Sequence, residues 1–373
     1  MEPARPPHVG FVLEQSLGHV THADNLRSTI SSNPTIRATW CPVEFGVDGV
    51  AARVPGYGTN WTVRSGIRAR QLVRRAHHDD PLDALFVHTQ VPAVLLGRWM
   101  RRIPTVVSLD ATPLQYDVLG AAYNHGIGNA QVERAKHALN ARCFRSARRL
   151  VTWSSWAKAG LVTGYGVDPD RVQVIPPGIW CDRWVTPPSG APPRGSDDVT
   201  RILFVGADFA RKGGDILLTA FEQLRAEHRQ GVELHLVTKS EVPEGPGVYR
   251  YGDMAPNSAE LKALYHRCDI FCLPTRADAL GLVLVEASAA GLPVVSTAVG
   301  AIAEIVKDGK TGLMVPPDDV AALVHALSVL IADPVRRQKL GDAARALVLD
   351  SYDAAKNSSE IVDLMIDVAG GRT

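Results

Sequence analysis

The chain has 373 residues, of which 46% are apolar and 21% are charged, and its formal net charge is +1. This length predicts two domains of ordinary size, and the composition excludes a disordered or fibrous protein. No apolar run approaches the ~20 residues of a membrane-spanning helix, and the N-terminus lacks the apolar core of a signal peptide. We therefore expect a cytoplasmic protein, with peripheral contact with a membrane left open.

The five cysteines argue against a disulfide framework, because they are odd in number and scattered along the chain. Cysteine and histidine residues nowhere fall at the spacing of zinc ligands. We therefore expect no metal site.

Charge is distributed unevenly along the chain. Residues 1–185 carry 21 Lys and Arg against 14 Asp and Glu, together with all seven Trp, whereas the remainder carries 19 against 25. A basic, Trp-rich first domain could meet an anionic acceptor or a membrane surface, or its arginines could simply solvate helix faces. No nucleic-acid motif accompanies the charge, so we expect no nucleic-acid partner.

The first predicted strand covers residues 8–13, and a helix follows from about Thr21 to Ile30. This opening is typical of a doubly wound domain. In the loop between them, Gly18 would allow close approach of a ligand, or it only forms a turn. His19 and His22 are candidate site residues. The glycine spacing does not match G-x-G-x-x-G, so a dinucleotide-binding start is set aside.

Strands and helices continue to alternate through the first half of the chain. Asp110 follows one of these strands, and we expect it to face a ligand, or to cap the loop that follows. The predicted strands cover residues 84–88, 105–109, 150–154 and 172–175, and the predicted helices cover residues 91–99, 131–149 and 155–161.

A Pro- and Gly-rich stretch, residues 187–199, reads as a linker. The second domain then opens with a strand at residues 201–206 and a helix from about 216 to 227. Gly206 ends the strand without a side chain. Arg211 and Lys212 precede the helix, where they could pair with a diphosphate, Arg by its planar fork and Lys as a point charge. The alternative is two surface cations in a loop.

The rest of the second domain repeats the alternation. Tyr251 and Met254 lie in and after a short segment that precedes a helix. The predicted strands cover residues 232–237 and 269–274, and the predicted helices cover residues 258–268, 282–290, 318–331, 334–349 and 354–368.

The stretch from residue 274 to 293, PTRADALGLVLVEASAAGLP, combines a loop with the start of a helix. Asp278 lies in the loop and Glu286 about one turn into the helix. Gly281 and Leu282 place unpaired N–H groups where an anion could bind. Two carboxylates at one site suit a ligand rich in hydroxyls. The alternative is a buried crossover helix with Asp278 capping its start.

This acidic stretch resembles the signature of family-four retaining glycosyltransferases, the glycosyl transferases group 1, in which two Glu residues are separated by seven residues. The sequences GLPVV at residues 291–295 and DGKTGLMVPP at residues 308–317 resemble the same family. The segment that runs from the predicted strand through Gly206 and Arg211-Lys212 into the predicted helix also resembles this family. The chain departs from the family at Asp278, which is one methylene shorter than Glu, and at Asp110, where members commonly carry a His.

The resemblance implies the GT-B arrangement, an α/β fold with two Rossmann-like doubly wound domains facing each other across a cleft. Residues 1–186 would form the acceptor-binding domain, residues 187–199 the linker, and residues 200–350 the nucleotide-sugar donor domain. Residues 351–373 would form a helix that crosses back to the first domain.

It also implies transfer of a sugar, with retention and without a metal or other cofactor, from a nucleotide sugar to a hydroxyl acceptor. UDP- and GDP-sugars are the expected donors, and the acceptor could be a small molecule, a glycan or lipid-linked. The assembly is left open between monomer and homodimer.

Residue roles follow from the same resemblance. Arg211 and Lys212 would stabilise the leaving diphosphate together with the helix start at Gly281 and Leu282. Glu286 would bind the ribose hydroxyls and Asp278 a sugar hydroxyl. Asp110 would be a catalytic residue near the reacting sugar carbon, where an anion could orient a hydroxyl or stabilise positive charge on the sugar. Tyr251 and Met254 would lie beside the nucleotide base, and Gly18 and Gly206 would lie close to the ligand. Lys212 and Glu286 are both expected to be exposed.

Two other readings are retained. The first is a non-catalytic sugar-nucleotide-binding protein with the same fold, which the departures at Asp110 and Asp278 motivate. The second is another enzyme class on this fold, an epimerase or a phosphorylase. The epimerase would need a second binding mode for the nucleotide, and the phosphorylase a cofactor lysine that the sequence does not identify.

Overall fold

The computed structural model describes residues 5–16, 18–46, 52–54, 56–120, 128–187, 194, 198–228, 231–243 and 245–371. The chain divides into two compact units. The first unit comprises Met1–Val118, Gly126–Gly178 and Ala354–Thr373, and the second comprises Leu119–His125 and Ile179–Asp353.

The first unit contains a parallel sheet of six strands in the order β2-β1-β3-β4-β5-β6. The strands are β1 (His8–Gln15), β2 (Arg37–Glu44), β3 (Ala84–His88), β4 (Thr105–Leu109), β5 (Arg149–Thr152) and β6 (Val172–Val174). The central strands β3 and β4 are buried along their whole length, as expected for a parallel sheet covered on both faces.

Helices cover both faces of this sheet. On one face Phe11 packs with Ile30 and Met365, and on the other Val12 packs with Val73 and Phe144. Alternate residues of β1 therefore enter two separate cores. The helices are α1 (His19–Ile30), α2 (Trp61–Asp79), α3 (Gln90–Ala93), α4 (Gly97–Met100), α5 (Pro113–Val118), α6 (Ala130–Ser146), α7 (Ser155–Tyr165) and, from the C-terminal segment, α15 (Ala354–Ala369).

The structure differs from the predicted elements of this unit at several places. The helix expected at residues 91–99 is two short helices, α3 and α4, interrupted at Leu96, where φ is −87° and ψ is 2°. Gly97 starts α4, and glycine is a poor helix former. The strand β2 and the long helix α2 were not predicted. The start of α2 is capped by Asn60, whose side chain accepts a hydrogen bond from the Val63 N–H.

The second unit contains another parallel sheet of six strands, in the order β12-β11-β10-β7-β8-β9. The strands are β7 (Thr200–Val205), β8 (Val232–Val237), β9 (Val248–Tyr251), β10 (Ile270–Leu273), β11 (Val294–Thr297) and β12 (Gly312–Val315). The helices are α8 (Cys181–Val185), α9 (Gly214–His228), α10 (Ala259–Arg267), α11 (Leu282–Ala289), α12 (Ile302–Ile305), α13 (Val320–Ala332) and α14 (Pro334–Ser351). The predicted α/β class with two parallel doubly wound sheets is confirmed.

Each sheet has a point at which the strand order reverses. In the first unit, β1 lies between β2 and β3, and in the second unit, β7 lies between β8 and β10. Parallel α/β sheets bind ligands outside the carboxyl ends of the strands at such a point. The loops after β1 and β3, and those after β7 and β10, are therefore the places to look for functional side chains.

Four predictions remain open at the level of the fold: the linker, the domain boundaries, the cytoplasmic location and the peripheral membrane contact. The predicted linker lies largely outside the described residues, and the predicted domain boundaries stay predictions. In the part of the chain that the structure describes, no helix is both long and apolar enough to cross a membrane. The cytoplasmic location and the peripheral membrane contact stay predictions.

Candidate functional site

At the reversal point of the second sheet, the loop after β7 meets the loop after β10. Lys212 lies between β7 and α9, and Asp278 lies between β10 and α11. The Lys212 Nζ and an Asp278 carboxylate oxygen form an ion pair, and the two side chains are only 13% and 12% exposed. The structure thus brings together two predicted site residues that are 66 positions apart in sequence.

Two glycines allow these loops to approach each other. A Cβ added at Gly206 would lie 3.0 Å from Cγ of Lys212, so a larger residue would press on this side chain. Gly213 has a φ of +75°, and a Cβ there would collide with the carbonyl oxygen of Pro274. Only glycine combines this backbone conformation with this contact.

Arg211 lies beside Lys212 and is held within the same pair of loops. Its Nε donates to Asp208 Oδ2 at 3.0 Å and one Nη donates to the carbonyl oxygen of Ala277 at 2.9 Å. The Arg211 side chain is 12% exposed. The guanidinium is thus fixed in place next to the Lys212–Asp278 pair.

Arg276 was missed by the sequence analysis. It donates two hydrogen bonds to the Asp215 carboxylate, at 2.7 and 2.8 Å, and its Nε donates to Asp318 at 2.7 Å. The hydrogen bonds from Arg276 lower the pKa of Asp215. Such bidentate pairing fixes the loop after β10 against the start of α9. Its position two residues before Asp278, within the predicted acidic stretch, is the sequence feature that could have identified it.

The start of α11 carries no side-chain cap. Gly281, the N-cap residue, has a φ of +79° and ψ of 71°. A Cβ at Gly281 would lie 3.1 Å from Asp278 Oδ2, so this glycine borders the ion pair. The first N–H groups of a helix have no intrahelical acceptor. The helix start at Gly281 and Leu282 therefore adds hydrogen-bond donors beside a fixed lysine, a combination that suits an anion.

Glu286 lies in the second turn of α11 and is only 6% exposed. Its carboxylate accepts a hydrogen bond from the Tyr265 hydroxyl at 3.1 Å, and burial raises the pKa of Glu286 to about 7. The expectation that Lys212 and Glu286 are both exposed is wrong. The Glu286 carboxylate is buried against the Tyr265 hydroxyl of α10, and the Lys212 ammonium is covered by its partner Asp278.

Tyr251 and Met254 lie apart from this group, at the edge strand β9, which is two strands from β7. The Tyr251 hydroxyl is 2.9 Å from Nδ1 of His235. Both predicted residues are half-buried, so part of each side chain is covered by the unit and part faces solvent.

In the first unit, Asp110 follows β4 and is 5% exposed. Its Oδ2 accepts from the Tyr116 hydroxyl at 2.6 Å, and its Oδ1 accepts from the N–H of Ala111 at 2.9 Å. Burial raises the pKa of Asp110, although the nearby His19 and these hydrogen bonds oppose that shift. The Nε2 of His19 lies 3.9 Å from Asp110 Oδ2. Gly18, one residue earlier, is exposed at the start of α1.

His88 and Trp153 join this group and were also missed. The Nε2 of His88 is 2.9 Å from Nδ1 of His19. The His88 ring stacks on Trp153 with 4.9 Å between ring centroids, and the His22 ring is 4.9 Å from each of them. His88 ends a predicted strand, so the rule that selected Asp110 could have selected it as well.

Glu14 is a third polar group at this edge that the sequence analysis did not select. It is 5% exposed, and one carboxylate oxygen accepts from Trp61 Nε1 at 2.8 Å and from Ser16 Oγ at 2.9 Å. The other accepts from the hydroxyl of Thr89. These bonds connect the loops after β1 and β3 with the start of α2.

Among the described residues, no group of three or more His, Cys, Asp or Glu side chains could hold a metal ion.

Both halves of the chain match family models. Residues 199–333 match a model described as glycosyl transferases group 1, and residues 22–178 match one described as a glycosyl transferase 4-like domain. The first match includes Lys212, Asp278 and Glu286, and the second includes His88 and Asp110.

Relatives of known activity are similar over much of the chain. A glycogen synthase from Mycobacterium tuberculosis is 28% identical over 78% of this chain and 70% of that protein. A D-inositol 3-phosphate glycosyltransferase from Xylanimonas cellulosilytica is 32% identical over 59% of this chain and 54% of that protein. A GDP-mannose-dependent phosphatidylinositol monomannoside mannosyltransferase from Mycolicibacterium smegmatis is 26% identical over 80% of this chain and 79% of that protein.

Solved structures show the same fold. A sucrose-phosphate synthase from Thermosynechococcus elongatus has a TM-score of 0.73 at 17% identity, covering 98% of this chain and 100% of that one. The Anabaena protein HepE, in complex with UDP-glucose, has a TM-score of 0.67 at 17% identity, covering 96% of this chain and 98% of that one. At these identities the likeness speaks to the fold alone.

Proposed function

The chain belongs to the group 1 glycosyl transferases, and from this membership we propose that it transfers a sugar, with retention, from a UDP- or GDP-sugar to a hydroxyl acceptor. In this proposal the second unit holds the diphosphate of the donor. The first unit provides groups that bind hydroxyls.

The observation that carries the proposal is the placement of Lys212 beside the uncapped start of α11. Breakdown of a nucleotide sugar transfers negative charge to the leaving diphosphate. A fixed ammonium and oriented backbone N–H groups stabilise such a charge without reorganising in the transition state. In the absence of a ligand, Asp278 neutralises Lys212. A bound diphosphate would take over that role, and Asp278 would then be free to accept from a sugar hydroxyl.

The proposal that the donor carries uracil or guanine as its base is supported by the relatives. HepE was solved with UDP-glucose, and the mycobacterial mannosyltransferase is named as GDP-mannose-dependent. The second unit offers half-buried Tyr251 and Met254 beyond β8, and these remain the proposed neighbours of the base. Glu286 remains the proposed partner of the ribose hydroxyls. Because the Glu286 carboxylate is buried, it would have to lose the hydrogen bond from the Tyr265 hydroxyl when it binds the ribose, or accept hydrogen bonds from both.

We propose that no metal takes part, because Arg211, Lys212 and the helix start together supply positive potential at the diphosphate. Retention would follow from attack on the face that the diphosphate leaves, with the leaving phosphate accepting the acceptor proton. Proximity and hydrogen bonding would then lower the barrier.

The test is release of nucleoside diphosphate from UDP-glucose, GDP-mannose, ADP-glucose and TDP-glucose in EDTA. Maltotetraose and D-inositol 3-phosphate, chosen from the relatives' names, serve as acceptors, and the anomeric configuration of the product is read by NMR. We expect acceptor-dependent release from the UDP- or the GDP-sugar, with the α-configuration kept. Inversion or dependence on a divalent cation would overturn those two parts of the proposal.

A second candidate, a non-catalytic sugar-nucleotide-binding protein, is motivated by Asp110 and Asp278. It predicts that the folded chain binds UDP or GDP but releases nothing from any donor, with or without acceptor. Release of nucleoside diphosphate by the wild-type protein at a higher rate than by a Lys212→Ala variant would exclude this candidate.

A further inference from the structure

A chain of polar contacts connects the ends of three strands in the first unit. The Ser108 Oγ lies 3.2 Å from Nδ1 of His88, and Nε2 of His88 lies 2.9 Å from Nδ1 of His19. The Nε2 of His19 then faces Asp110 Oδ2 at 3.9 Å. Ser108 and His88 are 1% exposed, whereas His19 and Asp110 are 8% and 5% exposed. The chain therefore runs from the interior towards the surface.

The hydrogen bonds of Asp110 fix the direction of this chain. Both of its carboxylate oxygens accept, one from the Tyr116 hydroxyl and one from the Ala111 N–H. Two accepting oxygens fit an ionised carboxylate. The ionised carboxylate faces Nε2 of His19 and favours a hydrogen on that nitrogen over a lone pair, which leaves Nδ1 of His19 as an acceptor.

The same logic extends inwards. If Nδ1 of His19 accepts, Nε2 of His88 must donate, and Nδ1 of His88 accepts from the Ser108 hydroxyl. Burial lowers the pKa of His88 well below its usual range, so its ring is neutral and has one defined tautomer. Both histidines are thus expected to carry their hydrogen on Nε2.

His22 is a second buried histidine beside this chain of contacts, with its ring against His88 and Trp153. Within the described part of the chain, both of its ring nitrogens are buried without a hydrogen-bond partner, and the residue is 3% exposed. Leaving a buried polar group unpaired costs free energy. Such groups in a native protein call for an explanation, of which a bound water or a bound ligand is one.

The gap between His19 and Asp110 has the size of one bridging oxygen. A separation of 3.9 Å between Nε2 and Oδ2 exceeds a direct hydrogen bond. An oxygen at a hydrogen-bond distance of about 2.8 Å from both atoms would subtend an angle of about 90°. A hydroxyl can accept from Nε2–H and donate to the carboxylate at the same time. An alkyl group or a second carboxylate could not do both.

We propose that His19 and Asp110 together bind a hydroxyl group of a sugar-transfer substrate, and that His88 is a positioning residue that fixes the tautomer of His19. This inference rests on the proposed function. The hydroxyl comes from the acceptor or from the donor sugar, and the kinetic experiment below separates these two sources.

The first test needs no substrate. Long-range ¹H–¹⁵N spectra of the labelled full-length chain report which ring nitrogen of each histidine carries the hydrogen. We expect Nε2–H for His19 and His88, and a mixture of His19 tautomers in His88→Phe. Protonation of His19 on Nδ1, or a His19 signal that His88→Phe leaves unchanged, would overturn the positioning role.

The second test uses the active pair among UDP-glucose, GDP-mannose, maltotetraose and D-inositol 3-phosphate. We expect His19→Leu to lower kcat/KM by about 10- to 100-fold, the range when one partner of a buried hydrogen bond is removed and the other is left unsatisfied. His19→Gln, which keeps an N–H donor, should recover most of this loss. The control is His78→Leu, since His78 is exposed on α2.

The kinetic constant that changes in His19→Leu identifies the substrate that carries the hydroxyl. A raised KM for the acceptor alone assigns it to the acceptor, and slower hydrolysis of the donor without acceptor assigns it to the donor sugar. Activity of His19→Leu within twofold of wild type in both assays would overturn the proposal. If wild type releases no nucleoside diphosphate at all, the proposed function fails, and the tautomer measurement still decides the positioning role.

Discussion

The two units place their candidate groups at equivalent positions, after the two strands that flank the reversal point of each sheet, but they place opposite chemistry there. In the second unit this point carries a fixed ammonium paired with a carboxylate, Lys212 with Asp278. In the first unit it carries three imidazoles, His19, His22 and His88, whose rings contact one another or Trp153 and of which His88 stacks on Trp153.

This difference in side-chain chemistry indicates which part of a substrate each unit can bind. A lysine that already has a counterion can exchange it for a phosphate without a net loss of charge pairing. Burial lowers the pKa of His22 and of His88, so these two imidazoles have no charge to offer, but each supplies one donor and one acceptor in fixed directions. The second unit is therefore suited to the charged end of a nucleotide sugar, and the first unit to uncharged hydroxyls.

The largest expected effect comes from removing the ammonium. Lys212→Ala should lower kcat for sugar transfer by about 10²- to 10³-fold, since removing one preorganised group at a developing charge costs that much. Steady-state release of nucleoside diphosphate measures it. Lys339→Ala, an exposed lysine on α14 of the same unit, is the control and should leave kcat unchanged. Equal rates for all three proteins would remove Lys212 from the site.

The two groups should also respond oppositely to pH. Burial raises the pKa of Glu286 in the folded chain from its ordinary value of 4.5 to about 7, so the folded chain holds this proton more tightly than the unfolded chain. Stability is thus lost as pH rises, by roughly 2–3 kcal/mol between pH 5 and 8. Glu286→Gln, which can still accept from Tyr265, should abolish this decline in thermal denaturation. A parallel decline in both proteins would contradict it.

His22 gives the opposite sign in the first unit. Burial lowers its pKa from 6.5 to about 3, so the unfolded chain binds the proton more readily. Stability is lost as pH falls below 6.5, by about 2 kcal/mol at pH 5. His22→Phe should therefore be more stable than wild type at pH 5, relative to their difference at pH 8. A difference that is independent of pH would show that His22 is protonated in the folded state.

The smallest expected effect tests the close approach of the loops in the second unit. Gly213 and Gly309 both have positive φ, +75° and +68°, but only a Cβ at Gly213 would meet another group, the Pro274 carbonyl. Gly213→Ala should destabilise by about 1–3 kcal/mol more than Gly309→Ala, because the conformational cost is shared and the overpacking is not. Urea denaturation of the two variants measures this. Equal losses would show that Gly213 is kept for its φ alone.

Much of the fold could be predicted, because buried parallel strands are continuous apolar runs. Three predicted strands, at residues 84–88, 105–109 and 232–237, have the observed bounds. The edge strand β2 was missed because it is half-buried and contains Pro42. The helix α2 was missed because its face is rich in arginine, so its apolar stripe of Ala69 and Val73 is narrow.

The site could be predicted only in part. Lys212 and Asp278 were selected separately, but their pairing depends on the strand order, which places β7 beside β10. Burial of Glu286 depends on Tyr265 of α10, which no local pattern links to it. His88 lies at the end of a correctly predicted strand, and its partner His19 is 69 residues away. Residues that meet across a parallel sheet are not separated by a fixed number of positions, so no sequence pattern pairs them.

The most direct test of the division between the two units is the affinity for UDP and GDP, measured by calorimetry for wild type, Lys212→Ala and His19→Leu. The account predicts that Lys212→Ala weakens binding of the preferred nucleotide by about tenfold or more, as for a lost charge-assisted hydrogen bond. His19→Leu should bind it as wild type does. Equal affinities for all three proteins, or a loss confined to His19→Leu, would contradict the assignment of the diphosphate to the second unit.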